Sequence, residues 1–188
     1  MPNTITGIHE AEKNKYLYLW TNNYKPSKCA APLAHYVARN SKPGWSLLDI
    51  GCGNGITVNI LKERGFDCMG LDITLAGIKD DGRHFVEASV WDMPFPDGFF
   101  DFTFSTDLLE HLPQSLVEGS IKEIFRVTRK RTFHSIANFQ DVRLGQVLHL
   151  TMQPAEWWIR RFEALNAKGL ECEIIDRKIF LVNQRGQY

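Results

Sequence analysis

Gly51, Gly53 and Gly55 alternate directly after the apolar run Leu47-Leu48-Asp49-Ile50 and directly before a stretch with helical periodicity. Glycine accepts positive φ and lets a ligand approach the backbone closely. The helix start behind such a loop presents free N–H groups and a partial positive charge, which suits a nucleotide-like ligand bearing a carboxylate or phosphate. Dinucleotide enzymes read Gly-x-Gly-x-x-Gly at this point, with the glycines admitting a pyrophosphate. Here the third glycine comes one residue early, and Asp49 stands two residues before the first. A carboxylate there repels pyrophosphate and suits a ligand with an ammonium group nearby. Further on, Gly70-Leu71-Asp72 ends a second apolar run. An acid in that place can accept both ribose hydroxyls, and is also a common helix N-cap.

Three histidines are candidate bases. His111 lies just beyond a predicted fourth strand, on the carboxyl-end side where doubly wound sheets bind ligands. It is the candidate catalytic residue, although an imidazole starting a helix is often a packing or capping group. His134 falls inside a predicted strand and is expected in the core, and His149 is expected to line an acceptor pocket. The segment Asp107-Leu108-Leu109-Glu110-His111 has a spacing that could coordinate a divalent cation. No metal ligand is assigned from it.

These residues need elements to hold them. Strands are predicted at 46–50, 67–71, 84–88, 100–104 and 131–137, with helices at 56–64, 114–127 and 154–167. Gly65 and Gly169 stand as helix stops. Only a short helical segment fits between Asp72 and His84. Two further strands, 171–175 and 178–182, read as an antiparallel hairpin around Asp176-Arg177. Two helices, 9–20 and 27–39, precede the first strand, and their Tyr16, Tyr18, Trp20 and Tyr24 could form a lid. The Trp157-Trp158 pair is expected to face the core on one side and a pocket on the other. The alternation is that of βαβ units, so the fold class is α/β, doubly wound. The expected organisation is one domain, with residues 1–45 as a helical cover and 46–188 as the cofactor-binding core.

Composition sets bounds on partners. The chain has 188 residues, 22 Lys plus Arg against 22 Asp plus Glu, and 44% hydrophobic residues. This is the balance of an ordinary globular protein, with no basic field to recruit nucleic acid or an anionic membrane. The four cysteines make no Cys-x-x-Cys pair and read as small buried hydrophobes. No signal peptide or membrane span is apparent, so a cytoplasmic monomer or homodimer is expected.

The motifs LLDIGCGNG at 47–55, GLD at 70–72, WDMPFPDGFFD at 91–101 and FSTDLLEHL at 104–112 together resemble the class I S-adenosylmethionine-dependent methyltransferases, in the broad branch near the ubiquinone-biosynthesis enzymes. The resemblance implies a Rossmann-like, seven-stranded sheet, mostly parallel with the last strand antiparallel. It implies S-adenosylmethionine as cofactor, with S-adenosylhomocysteine as product. Asp49, Gly51, Cys52 and Gly53 would shape the pocket around the methionine moiety. Asp72 would hold the ribose, with Ile73 against the adenine, Val90 at the adenine edge, and the Ser105 carbonyl on the amino group. Ser89 stands where the family usually has an acid, with Asp92 as a substitute or a turn residue, and the short segment after Asp72 could open the adenine edge. The Asp107–His111 segment also resembles the Glu-x-x-Glu-His of metal-assisted O-methyltransferases in that branch, a pattern shared by relatives that need no metal. The expected reaction is O-methylation of a small-molecule acceptor, without nucleic acid or membrane as partner. The alternatives are a domain that binds the cofactor without catalysis and an NAD-type oxidoreductase. A protein or nucleic-acid methyltransferase is disfavoured by the neutral charge and by Ser-Thr-Asp-Leu where DNA amino-methylases carry Asn/Asp-Pro-Pro-Tyr.

Overall fold

Apolar runs flanked by helical stretches bury both faces of their strands, and here they do so around one central sheet. The structure, a computed structural model, describes residues 4–26, 29–79, 83–165, 170–175 and 178–184. In chain order these are α1 (Ile5–Thr21), α2 (Ala30–Asn40), β1 (Ser46–Ile50), α3 (Ile56–Glu63), β2 (Asp67–Asp72), β3 (Phe85–Glu87) and β4 (Phe100–Thr106). Then follow α4 (Gln114–Val127), β5 (Thr128–Ala137), the small hairpin β6 (Val142–Arg143) and β7 (Gln146–Val147), α5 (Ala155–Ala164), β8 (Leu170–Ile175) and β9 (Lys178–Gln184). Single helical turns lie at Leu75–Gly77 and Leu109–His111.

The large sheet has seven strands in the order β3-β2-β1-β4-β5-β9-β8. β1 through β5 pair in parallel, and β9 pairs antiparallel with both β5 and β8. The doubly wound sheet with an antiparallel last strand is therefore as expected. Strand alternation feeds two cores. Leu48, Ile50, Ile136 and Leu181 meet Ile121, Ile124, Trp158 and Phe162 of α4 and α5 on one face. Leu47, Phe102, Phe104 and Phe133 meet Leu33, Val37, Val58 and Leu61 of α2 and α3 on the other. The order reverses between β1 and β4, which places a crevice at their carboxyl ends.

Asp101 fastens the opposite end of the sheet. Its carboxylate accepts from the Ser46 N–H at 3.1 Å and pairs with Arg129 and Lys130, each at 2.8 Å, so one buried side chain joins β1, β4 and β5.

Several boundaries differ from the sequence expectation. α1 begins at Ile5 because the Thr4 hydroxyl accepts from the Gly7 N–H and caps it. β5 begins at Thr128, running straight off α4 without a loop. The β6–β7 hairpin went unforeseen: its strands are two residues each, too short for a period-2 pattern to register. The expected end of the last helix beyond Leu165 and the turn at Asp176-Arg177 lie outside the described residues. Cys52 and Cys68 are buried as expected, whereas Cys29 is only half-buried and Cys172 is exposed on the edge strand. Among the described residues, no helix is long and apolar enough to cross a membrane.

Candidate cofactor and acceptor cavity

The loop after β1 turns on backbone that only glycine adopts cheaply. Gly51 has φ +75°, and a Cβ on it would stand 2.9 Å from Leu108 Cδ1. The Gly51 and Cys52 N–H groups donate to the Leu71 carbonyl at 2.7 and 3.1 Å, and the Gly53 N–H donates to Asp72 Oδ2 at 2.8 Å. The loop is thus folded back onto the end of β2, which brings Asp49 and Asp72 to one crevice. Burial pushes the Asp49 carboxyl up to about 8, with the charge of Asp72 adding to the effect. Burial also raises Asp72, but only to about 6, because the N–H groups of Gly53 and Thr74 stabilise its carboxylate.

α1 supplies the outer wall. Trp20 packs so closely on Gly77 that a Cβ there would be 2.6 Å from the indole. His9 hydrogen-bonds the Ser89 hydroxyl, Lys13 pairs with Glu87 at 2.6 Å, and Tyr16 hydrogen-bonds His111 Nδ1 at 2.6 Å. The edge left by the single turn after Asp72 is therefore covered by Trp20.

Together these elements enclose a cavity of about 330 Å³. Asp49, Gly51, Cys52, Gly53, Asp72, Ile73, Ser89, Val90 and His111 all line it. Ser105 does not. It is wholly buried with its hydroxyl bonded to His134 Nδ1 at 2.8 Å, and the wall begins one residue later at Thr106. Of the aromatic lid residues, Tyr16, Trp20 and Tyr24 line the cavity, whereas Tyr18 faces away and is 47% exposed. Trp158 is core, and Trp157 is stacked under Arg161, so neither forms a pocket wall. Asp92 is exposed in the turn after Ser89 and does not stand in for the missing acid.

The far end is built by His111, His149, Phe139, Arg143 and Lys178. His111 and His149 meet edge to face with centroids 4.7 Å apart. Burial, reinforced by His149, holds the His111 imidazole well below its usual range and so neutral. His134 is core, as expected, and burial takes it down to about 3. Asp107 turns away from Glu110: its carboxylate accepts from Lys178 Nζ at 2.6 Å, on backbone with φ +52°. Glu110 is buried behind His111, with Oε1 accepting from the Ala137 N–H at 2.7 Å and Oε2 without a hydrogen-bond partner. Sequence spacing gave no sign of Lys178 or Arg143, because β9 and β6 reach the crevice only through the tertiary fold.

A family model described as a methyltransferase domain matches residues 48–136, the stretch from β1 to β5 that carries the glycine loop and both acids. Residues 48–136 belong to the class I S-adenosylmethionine-dependent methyltransferases. Among curated proteins, this chain is similar to a sterol 24-C-methyltransferase of Gibberella zeae, 37% identical over 109 residues, covering 50% of this chain and 28% of the relative. It is also similar to a malonyl-[acyl-carrier protein] O-methyltransferase of Serratia marcescens, 30% identical over 95 residues, covering 48% of this chain and 36% of the relative. The chain thus spans about a third of the length of these relatives. Among solved structures, the 1,6-didemethyltoxoflavin-N1-methyltransferase of Burkholderia thailandensis, seen with its substrate and S-adenosylhomocysteine, shares the fold. The TM-score is 0.77 at 13% identity, over 100% of this chain and 93% of that one.

Proposed function

We propose that this methyltransferase chain transfers the methyl group of S-adenosylmethionine in line to an oxygen of a small-molecule acceptor. The observation that carries the reading is a single cavity with two unlike ends. Asp49 and Asp72 face the glycine loop at one end, where an ammonium group and a ribose find carboxylates. His111, held neutral by burial, stands with His149 at the other.

In this reading Asp49, Gly51, Cys52 and Gly53 hold the methionine moiety, Asp72 takes the ribose hydroxyls, and Ile73, Ser89 and Val90 border the adenine. In the transfer, the acceptor oxygen forms the new O–C bond as the C–S bond breaks and its electron pair returns to sulfur. Alignment of this kind can supply on the order of 7–11 kcal/mol of the barrier. His111 handles the acceptor hydroxyl. An imidazole held neutral by burial is a weak base, which serves an acidic oxygen such as a phenol or carboxylic acid better than an aliphatic alcohol.

Calorimetric titration with S-adenosylmethionine, S-adenosylhomocysteine and NAD tests the cofactor. Binding of the first two and not the third supports the reading, and the reverse returns the oxidoreductase alternative. Label transfer from methyl-labelled cofactor to phenols, carboxylic acids, amines and thiols then tests the atom. Exclusive transfer to nitrogen or carbon would refute the oxygen assignment, and binding without any transfer would favour a non-catalytic cofactor-binding domain.

A further inference from the structure

Glu110, His111 and His149 come from two separate stretches of chain and present one potential ligand atom each, all within 4.8 Å of one another. All three side chains are buried. We infer that these three side chains form a facial binding site for a divalent first-row transition cation at the acceptor end of the cavity.

The hydrogen bonds around the three groups leave one donor atom free on each. Glu110 Oε1 is held by the Ala137 N–H at 2.7 Å, while the buried Oε2 has no partner. The Nδ1–H of His149 donates to the Phe139 carbonyl, which fixes the tautomer with a lone pair on Nε2. His111 Nδ1 is engaged by the Tyr16 hydroxyl at 2.6 Å, which leaves Nε2 for a ligand. Metal-ligating histidines are generally oriented in this manner, with the second ring nitrogen hydrogen-bonded to a carbonyl or another polar group. A buried carboxylate oxygen with nothing bonded to it is otherwise costly. The backbone is also braced: the N–H groups of Leu150 and Thr151 donate to the Glu110 carbonyl at 2.8 and 2.9 Å, which locks the two stretches together.

Two imidazoles and one carboxylate with open positions suit transition cations rather than calcium or magnesium, which prefer all-oxygen shells. On a tetrahedral cation, two ligands at the usual Zn–N length of about 2.1 Å stand roughly 3.4 Å apart. A pair at the 4.8 Å limit therefore closes by roughly 1.4 Å on loading. His111 and His149 line the cavity, so an open coordination position faces the acceptor. Asp107, which the spacing along the chain would have enlisted, is committed to Lys178 and takes no part.

The role of the cation rests on the proposed oxygen methylation. A cation-bound hydroxyl loses its proton more readily, and His111 would then act as a ligand, the base role belonging to the metal-free protein. The binding site itself does not depend on that reading.

Titration of chelator-treated full chain with Co²⁺, followed by absorption and calorimetry without acceptor, reads the site directly. Wild type is expected to take up one equivalent, with d–d bands and no thiolate-to-cobalt charge-transfer band. His149→Ala and Glu110→Gln are each expected to weaken uptake at least tenfold. Circular dichroism and S-adenosylmethionine titration, both expected unchanged in His149→Ala, show that the fold survives; where Glu110→Gln does not fold, His149→Ala alone decides. Absence of stoichiometric uptake, a thiolate band, or undiminished uptake by folded His149→Ala overturns the site. Metal uptake without methyl transfer to oxygen would leave the site standing and overturn the proposed reaction, whereas transfer without uptake would do the opposite.

Discussion

Asp49 at pH 7 is a carboxyl group waiting for a counter-charge. With its pKa at about 8, the free protein holds it mostly protonated. An ammonium group brought beside it favours the carboxylate and lowers that pKa. Cofactor binding at pH 7 is therefore expected to release close to one proton per site. The release should fade above about pH 9, where the free carboxyl is already ionised. Calorimetry in buffers of different ionisation enthalpy measures it, and enthalpies independent of buffer would contradict the role given to Asp49. Asp49→Asn should abolish the release and weaken binding by about 1.5–3 kcal/mol, the worth of a hydrogen bond to a charged group. Both acids were legible from the sequence because each is placed by local chemistry: a strand end, a glycine loop and a fixed distance to the next strand. His149 was named as a pocket residue, but its pairing with Glu110 was not, since hydrogen bonds between the 149–151 segment and the Glu110 carbonyl are not encoded by spacing.

At the scale of elements, α1 and the sheet make separate demands. α1 touches the crevice through His9, Lys13, Tyr16 and Trp20, four residues at near-helical spacing along one face. Its aromatic residues were readable as a cover, but not which of them face inward, because an aromatic ring satisfies a helix face whether it meets a ligand or solvent. Trp20 lines the same cavity as Asp49 and Asp72. Its fluorescence is expected to change on cofactor addition in a variant lacking the other tryptophans, and an unaltered spectrum under saturating cofactor would place the ligand elsewhere. The sheet depends on Asp101. Burial acts to raise this carboxyl, but Arg129, Lys130 and the Ser46 N–H prevail and hold it down to about 2. An acid lowered in the folded state stabilises fully above its unfolded pKa, near 4, and loses that contribution as pH falls toward 2. Asp101→Ala is accordingly expected to cost about 1.5–3 kcal/mol at pH 7 and progressively less between pH 4 and 2, as urea denaturation across that range would show. A constant difference across that range would mean the cost comes from packing.

For the molecule as a whole, the α/β class, the doubly wound sheet and the antiparallel last strand were open to reading because apolar runs and helical periods alternate at regular intervals. What escaped was the short β6–β7 hairpin and the way Lys178, at the start of β9, crosses to Asp107. Both depend on chain segments meeting after the sheet has formed. The cavity inherits this construction: β1, β2 and β4 supply its floor, α1 its outer wall, and β9 and the 139–149 segment its far end. A ligand that touches all of these binds only the assembled fold, so its binding energy adds to global stability. At a cofactor concentration one hundred times the dissociation constant the gain is about 2.7 kcal/mol. For a domain of this size each kcal/mol shifts the melting temperature by roughly 2–4 °C, so a rise of about 5–11 °C is expected. Asp72→Ala removes the ribose contact together with the acceptor for the Gly53 N–H, so it should lower the starting temperature and also shrink the rise at the same cofactor concentration. A variant that melts earlier yet keeps the full rise would separate the two functions of Asp72, leaving it as a brace for the glycine loop with the ribose held by other groups.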